Sequence, residues 1–475
     1  MSDSEAREQR SLSERPRAVV VGVQEDDVSD GDFESSLMEL ERLCKTLGLA
    51  PVGRVTQRRG GLAVGGVVGE GKLEELASWT GGSGKIPSGA IRKKRKIDRD
   101  ADDGGVEDAD DEYDDEIDAD DAPAVPQGPV RAGIVVVDHD LSPSQVRNLE
   151  RATGAEVLDR TSIILRIFER HARTREARMQ VEIARLTYLA PRLRESGGGD
   201  RQRGGIGGKG AGESSSELDR RRIRDRIAEL KSELANVERE AAVRRKRRVS
   251  PDGNQRTVAL VGYTNAGKSS WMRLLTSGEV YVADELFATL DTTVRALAPA
   301  VSPRILVSDT VGFIKKLPHA LVASFRSTLE EARDAGLLLH VVDAADPAFR
   351  AQLEVTRTVL RELEADDAPS LVLLNKVDKI DAATREGLEQ EFPDALFVSA
   401  RRPEDVRRVH AAVVQFFEKD AEEAELFVSY AKQSMVGPIR ESVRIVDERW
   451  DNDGLHVRVK GPKAAIAKLR ADLAR

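Results

Sequence analysis

Several things are scarce in this chain, and each shortage narrows what it can be. There is one cysteine, Cys44, in 475 residues. A single thiol builds no disulfide framework, and a chain without disulfides suits a reducing compartment. Aromatic residues make up only 4%, which argues against base stacking as the main activity. No stretch approaches the roughly 20 apolar residues that span a bilayer. The opening MSDSEAREQR is polar and mixed in charge, unlike a secretory leader. These absences lead us to expect a soluble, cytoplasmic protein. The net charge of -9 is small beside 74 basic and 83 acidic residues, so local charge says more than the sum.

What is present suits about three domains of ordinary size. Residues 1–15 read as a disordered arm. AVVVGV at 18–23 reads as a buried strand, and Phe33, Leu37, Leu40, Leu43 or Cys44, and Leu47 have helical spacing. Residues 62–68 read as a strand. GEGKLEELA at 69–77 follows as a turn into a helix, with an anion site at its glycine-flanked start as the alternative. From about 82 to 128 the chain opens with Gly and Ser, passes a basic run at 92–96 and becomes strongly acidic at 98–121. Such a segment buries too little apolar surface to offset its ordering entropy, so it reads as a disordered, solvated insertion. Contact of its basic part with RNA is the sharper alternative. IVVV at 134–137 is a second buried strand. LSPSQVRNLERA reads as a helix capped by Ser142 with Pro143 in its first position. Alternating strands and helices make residues 16–168 a small α/β domain with a mainly parallel sheet.

Residues 169–249 change character. Met179, Ile183, Leu186, Ala190 and Leu193 are spaced in fours and threes, and Ile223, Ile227, Leu230, Leu234, Val237 and Ala241 repeat the pattern. This predicts an antiparallel helical hairpin. Its loop, 196–216, is rich in glycine with Arg and Lys. The second helix carries Arg220, Arg221, Arg222, Arg224 and Arg226 and ends in the basic run 244–248. A solvated helix face with a basic end is the plain reading; a phosphate-backbone footprint is the functional one, favoured by the glycine-rich tip beside the arginines.

The chemistry lies further on, in residues 256–418. TVALV at 257–261 is an apolar strand that runs into Gly262, Tyr263, Thr264, Asn265, Ala266, Gly267, Lys268 and Ser269, then into helical WMRLL. This is G-x-x-x-x-G-K-S between a strand and a helix, a P-loop. Glycines let backbone amides approach phosphate oxygens, and the helix start adds a positive dipole end. Lys268 is placed to reach the β- and γ-phosphates, and Ser269 to ligate magnesium. The base is chosen by Asn375, Lys376, Val377 and Asp378 at the end of an apolar strand. The Asp378 carboxylate can accept from guanine's ring imino and exocyclic amine, whereas adenine lacks the amine and leaves it poorly paired. Asn375 is expected at the base edge and the loop, and the Lys376 stem over the ring face. Between these motifs lie Asp309, Thr310, Val311 and Gly312, where Asp309 is the expected carboxylate behind magnesium and the Gly312 amide senses the γ-phosphate. Phe287, Ala288, Thr289, Leu290 and Asp291 belong to FATLDTT, which offers a first-switch threonine. Thr289 is chosen as second magnesium ligand and, with Lys268 and Gly312, as catalytic; Thr292 and Thr293 are the alternatives. Ser399, Ala400 and Arg401 follow a short strand, where amides meet the guanine carbonyl. The order and spacing of the set are those of a Ras-like GTPase domain with a doubly wound sheet. Residues 421–475 add a small α/β module, with FVSY and LHVRVKG as strands and AAIAKLRADLA as a helix.

In these motifs, and in LSPSQVRNLE, GGIGGKGAGE, DRRRIRDRI, VALVGYTNAGKSS, LFATLDTT and SDTVGFIKKLPHALVASFRSTLEEA, the chain resembles the HflX family of ribosome-associated GTPases in the Obg–HflX superfamily. The resemblance implies a monomer that binds GTP and GDP and hydrolyses GTP with Mg2+. It also implies a large ribosomal subunit and its RNA as partner, and a task in splitting, rescue or biogenesis of ribosomes. A nucleotide-gated RNA-binding scaffold is the alternative. Relatives in tRNA modification or metal uptake carry a C-terminal catalytic cysteine or membrane spans that this chain lacks. By analogy with related GTPases, Asn265 is a candidate partner for K+. The chain departs from the family at Thr292, where a proline is usual, at Ala211 and Ser216 in the glycine-rich loop, and in its acidic insertion. Phe313 follows Gly312 where many Ras-like proteins place a water-orienting glutamine, so slow intrinsic turnover is expected.

Overall fold

The computed structural model describes residues 15–63, 65–86, 131–196, 215–246, 256–276, 286–287, 290, 293–316, 331–365, 367–419 and 421–474. Most of the expected arm, insertion and glycine-rich loop lies outside them. The chain forms two compact units, one up to Ile164 and one from Leu165.

The first unit is built on strands β1 (Arg17–Gln24), β2 (Ala50–Arg58), β3 (Ile134–Val137) and β4 (Glu156–Asp159), all parallel in the order β2-β1-β3-β4. Helices α1 (Asp30–Leu47), α2 (Glu70–Thr80) and α3 (Pro143–Thr153) connect them. The central strands read as continuous apolar runs because both faces are covered, and Val19, Val20, Val21, Val135, Val136 and Val137 are wholly buried. Ser142 caps α3 in a full capping box with Gln145.

Residues 62–68 were expected as a strand, but they make only a bridge between Ala63 and Val67. Glycines at 60, 61, 65 and 66 punctuate the segment and let it turn back. The strand lies earlier, as β2, an edge strand with few fully buried positions and therefore no clear apolar signature. The start of α2 does not offer its first amide to an anion, since the Gly69 N–H donates to Gln57 Oε1 at 2.8 Å.

The second unit begins within α4 (Arg160–His171) and continues into the helical hairpin α5 (Arg175–Ser196) and α6 (Ser215–Lys246). Met179, Ile183 and Leu230 are its buried seam, flanked by Leu186, Ile227, Leu234 and Val237. Ion pairs Arg175–Glu233 and Arg226–Glu182 fix the antiparallel register.

Strands β5 (Thr257–Val261), β6 (Thr293–Ala296), β7 (Leu306–Asp309), β8 (Leu337–Asp343), β9 (Ser370–Asn375) and β10 (Leu396–Phe397) form one sheet in the order β10-β9-β8-β5-β7-β6. All pairs are parallel except β6 with β7, the Ras-like arrangement. Helices α7 (Lys268–Leu275), α8 (Phe349–Glu362), α9 (Ala382–Glu391) and α10 (Pro403–Glu418) accompany it.

The C-terminal part is a three-stranded antiparallel sheet of β11 (Ala421–Ser429), β12 (Arg444–Trp450) and β13 (Gly454–Pro462), ordered β11-β13-β12, with α11 (Val436–Ser442) and α12 (Lys463–Ala474). Leu426, Val428, Leu455, Val457 and Val459 form its core with Ile439, Ile466 and Leu469.

Candidate functional site

The site is assembled where parallel strands of the six-stranded sheet end. β5 leads into the loop 262–267, and α7 starts at Lys268. Gly267 has a φ of 104°, and a Cβ there would stand 2.4 Å from Asn375 Nδ2. Its lack of a side chain is what lets Asn375 reach the loop. Asn375 Nδ2 donates to the Ala266 carbonyl at 2.8 Å, and its Oδ1 accepts from the Ala400 amide at 3.3 Å. One buried side chain thus ties three of the predicted segments together.

Lys376 stands in the left-handed region with φ 63°. Its Nζ donates to the Asn265 carbonyl at 2.8 Å and pairs with Asp343 at 2.7 Å. Sequence reasoning passed over Asp343, although a carboxylate closing the strand beside β5 was a usable signal. Val377 is buried below this loop. Asp378 accepts from the Ser399 hydroxyl at 2.6 Å and faces Arg401 at 3.5 Å. The Ser399 hydrogen bond first, then a backbone hydrogen bond at Asp378 and the charges of Arg401 and Arg402, hold its carboxyl below the usual carboxylate range against the opposing effect of burial. Asp405, also missed, receives the Ser399 amide at 2.9 Å from the first turn of α10.

The phosphate-side groups are packed as closely. Lys268 is buried, and its Nζ donates to the carbonyls of Tyr263 at 2.8 Å and Gly262 at 3.1 Å. Burial brings its pKa down to about 8, against the opposing pull of Asp309. Ser269 Oγ donates to Asp309 Oδ2 at 2.9 Å. A hydroxyl beside a buried carboxylate is the hard-oxygen pairing that magnesium accepts while keeping several waters. Among the described residues no cluster of three or more His, Cys, Asp or Glu could hold a metal ion, so such an ion would depend on these two groups and on its other ligands.

The loop after β7 closes on the P-loop. The Thr264 amide donates to the Phe313 carbonyl at 2.8 Å, the Phe313 amide to the Gly262 carbonyl at 3.2 Å, and the Lys315 amide to the Tyr263 hydroxyl at 2.6 Å. Thr310 donates to the Leu260 carbonyl at 2.7 Å, and Val311 is buried. A Cβ on Gly312 would come within 2.9 Å of Lys268 Nζ. The ring of Phe313 is in the core, 1% exposed, so it packs and does not face the site.

Of the first-switch stretch, Phe287 and Leu290 are buried, and the Phe287 ring meets Phe168 of α4 edge-on at 4.6 Å between centroids. Ala288, Thr289, Asp291 and the alternative Thr292 lie outside the described residues; Thr293 opens β6.

A Ras-like sheet with this set of loops defines a P-loop GTPase. Family models match along the chain: a GTP-binding GTPase N-terminal region at 34–84 and 126–169, a GTP-binding GTPase middle region at 171–248, and a 50S ribosome-binding GTPase at 257–376. A GTPase HflX of Gluconacetobacter diazotrophicus is 54% identical over 97% of this chain and 98% of its own. One from Caldanaerobacter subterraneus is 34% identical over 94% and 91%. A solved GTP-binding protein from Sulfolobus solfataricus in complex with GDP is 20% identical over 84% of this chain and 99% of its own, with a TM-score of 0.41. The chain belongs to the HflX family of GTPases.

Proposed function

We propose that this GTPase docks on the large ribosomal subunit through its helical hairpin and uses GTP to gate splitting, rescue or biogenesis of ribosomes. The observation that carries the reading is the run of arginines on α6: Arg221, Arg222 and Arg224 are exposed. Cations displayed on one helix suit a phosphate backbone. Arg226 is excluded from this role because Glu182 holds it across the hairpin and Glu229 along the helix, while Arg222 pairs with Asp219 on its own helix at 3.3 Å. The description of the model matched at 257–376 names 50S binding, which supports the same partner. The protein acts as a cytoplasmic monomer; among the described residues no helix is long and apolar enough to cross a membrane. The functional division is residues 16–168, 169–249, 256–418 and 421–475.

Within the site, Asp378 reads guanine, Lys268 and the Gly312 amide bind the γ-phosphate, and Ser269 and Thr289 hold Mg2+. The metal neutralises phosphate charge when bound. Because Phe313 is buried, intrinsic turnover is slow and the ribosome stimulates it. Asn265 is the candidate partner for K+, and equal rates in sodium and potassium would remove it. Cosedimentation with ribosomal subunits in GTP, a non-hydrolysable analogue or GDP tests the partner. Binding in the triphosphate states is expected, and no binding in any state overturns the ribosomal reading while leaving the GTPase intact. The scaffold alternative predicts that Lys268→Ala weakens nucleotide binding yet spares action on ribosomes.

A further inference from the structure

Thr264 is 7% exposed, and its hydroxyl meets no hydrogen-bond partner among the described residues. A buried hydroxyl in that state calls for a partner supplied by water or ligand. Its place in the loop says which ligand. A Cβ on Gly312 would lie 2.8 Å from the Thr264 methyl and 2.9 Å from Lys268 Nζ. The Thr264 side chain, the lysine ammonium and the glycine of the loop after β7 therefore converge on one small volume. The backbone amide of Thr264 is already given to the Phe313 carbonyl at 2.8 Å, which leaves the hydroxyl as this residue's remaining hydrogen-bond donor. The next side chain, Phe313, is turned into the core and cannot orient water.

We propose that the Thr264 hydroxyl is a catalytic residue of GTP hydrolysis, contacting a γ-phosphate oxygen and the attacking water in the place left by the buried Phe313. This rests on the reading of residues 262–269 as the phosphate site. The hydroxyl donates its proton in a hydrogen bond to the γ-phosphate and accepts one from the water, and it is not consumed. The water oxygen forms the new bond to the γ-phosphorus. The bond from that phosphorus to the bridging oxygen breaks, leaving its electron pair on GDP, and the water's proton passes to the released phosphate.

The test is single-turnover hydrolysis of GTP, with GTP affinity and thermal melting measured on the same full-length samples. Thr264→Val keeps the shape and removes the hydroxyl; it should slow hydrolysis on the order of 100-fold, the scale of one lost transition-state hydrogen bond, while affinity stays within about threefold. Thr264→Ala should be equally slow, and Thr264→Ser should retain a rate within about fivefold of the parent. Thr264→Val at the parent rate overturns the proposal, as does Thr264→Ser as slow as Thr264→Val, because the methyl would then be what counts. Lys268→Ala separates the two layers. If it loses GTP affinity while Thr264→Val hydrolyses normally, only the role of Thr264 fails; if Lys268→Ala binds GTP as the parent does, the phosphate-site reading fails with it.

Discussion

The four-stranded sheet of the first unit is parallel throughout and the six-stranded sheet of the second is parallel except at β6; both are helix-covered and apolar through the middle, yet their strand ends carry opposite chemistry. At the ends of β3 and β4 the charged groups satisfy one another. Arg160 is 2% exposed and pairs with Asp138 at 2.6 Å and with Glu39. Ser36 donates to the other oxygen of Asp138 at 2.7 Å, and Asp159 receives the Ser162 amide at 2.8 Å. At the ends of β5, β7 and β9 the polar groups instead tie loop to loop, and a hydroxyl is left over. The same architecture closes one set of strand ends with an internal salt-bridge network and leaves the other chemically receptive. Fold alone does not assign function; the groups at the strand ends do.

The contrast can be broken from either side. The largest effect is expected at Arg160→Met, which leaves Asp138 and Glu39 buried without their cation. It should cost about 3–5 kcal/mol of stability, seen as a fall in the denaturant midpoint, with the GTP affinity of surviving folded protein unchanged. A loss of GTP affinity without a loss of stability would make the network part of the nucleotide site. Asp378→Asn should do the reverse, lowering GTP affinity by roughly 100-fold through lost charge-assisted hydrogen bonds with little change in melting temperature. Calorimetric titration with GTP and ATP reads it, and an unchanged preference for GTP would remove Asp378 as the base reader.

Gly267→Ala is smaller and affects both readouts. Its Cβ would press on Asn375 Nδ2 at a φ of 104°, so a destabilisation of about 1–3 kcal/mol and weaker nucleotide binding should appear together. The smallest effect is in pH. The Lys268 pKa is lowered to about 8 from 10.5 by burial. Between those values the unfolded chain holds a proton that the native chain has shed, so this lysine's contribution to stability rises with pH. Phosphate binding needs the ammonium, so GTP affinity should fall over the same window, by up to about tenfold per pH unit, and binding near pH 8.5 should take up protons. Lys268→Met should flatten that slope in buffers of different ionisation enthalpy.

The contrast also shows what could be read in advance. The strands with both faces covered, 18–23, 134–137 and 257–261, were legible because burial on both sides leaves a run of apolar residues. The hairpin was legible because Met179, Ile183 and Leu186 on one helix and Ile227, Leu230 and Leu234 on the other each keep a helical spacing. Among the strands not found are β2, β4, β6 and β12. β2, β6 and β12 are edge strands with partly exposed positions, and β4 is only four residues long. In the site, contiguous motifs were found, while Asp343 was not, because its partner Lys376 lies on another loop 33 residues on; Asp405 was not, because it belongs to the first turn of α10 and reaches back to the Ser399 amide only once strand, loop and helix are folded. The arginines of α6 looked alike along the chain; only the opposing helix singles out Arg226 as a structural ion pair.

The sequence by itself determined the class of chemistry. A P-loop, the aspartate-glycine loop and the asparagine–aspartate motif, in that order and each at a strand end, leave a guanine-nucleotide hydrolase because local backbone geometry and hydrogen-bonding capacity are set by contiguous residues. The tertiary structure decided which polar groups are already spent. Asn375 holds the Ala266 carbonyl, Lys376 the Asn265 carbonyl and Ser399 the Asp378 carboxylate, whereas the Thr264 hydroxyl holds nothing among the described residues. That distinction rests on distances between strand ends brought together only when the sheet forms.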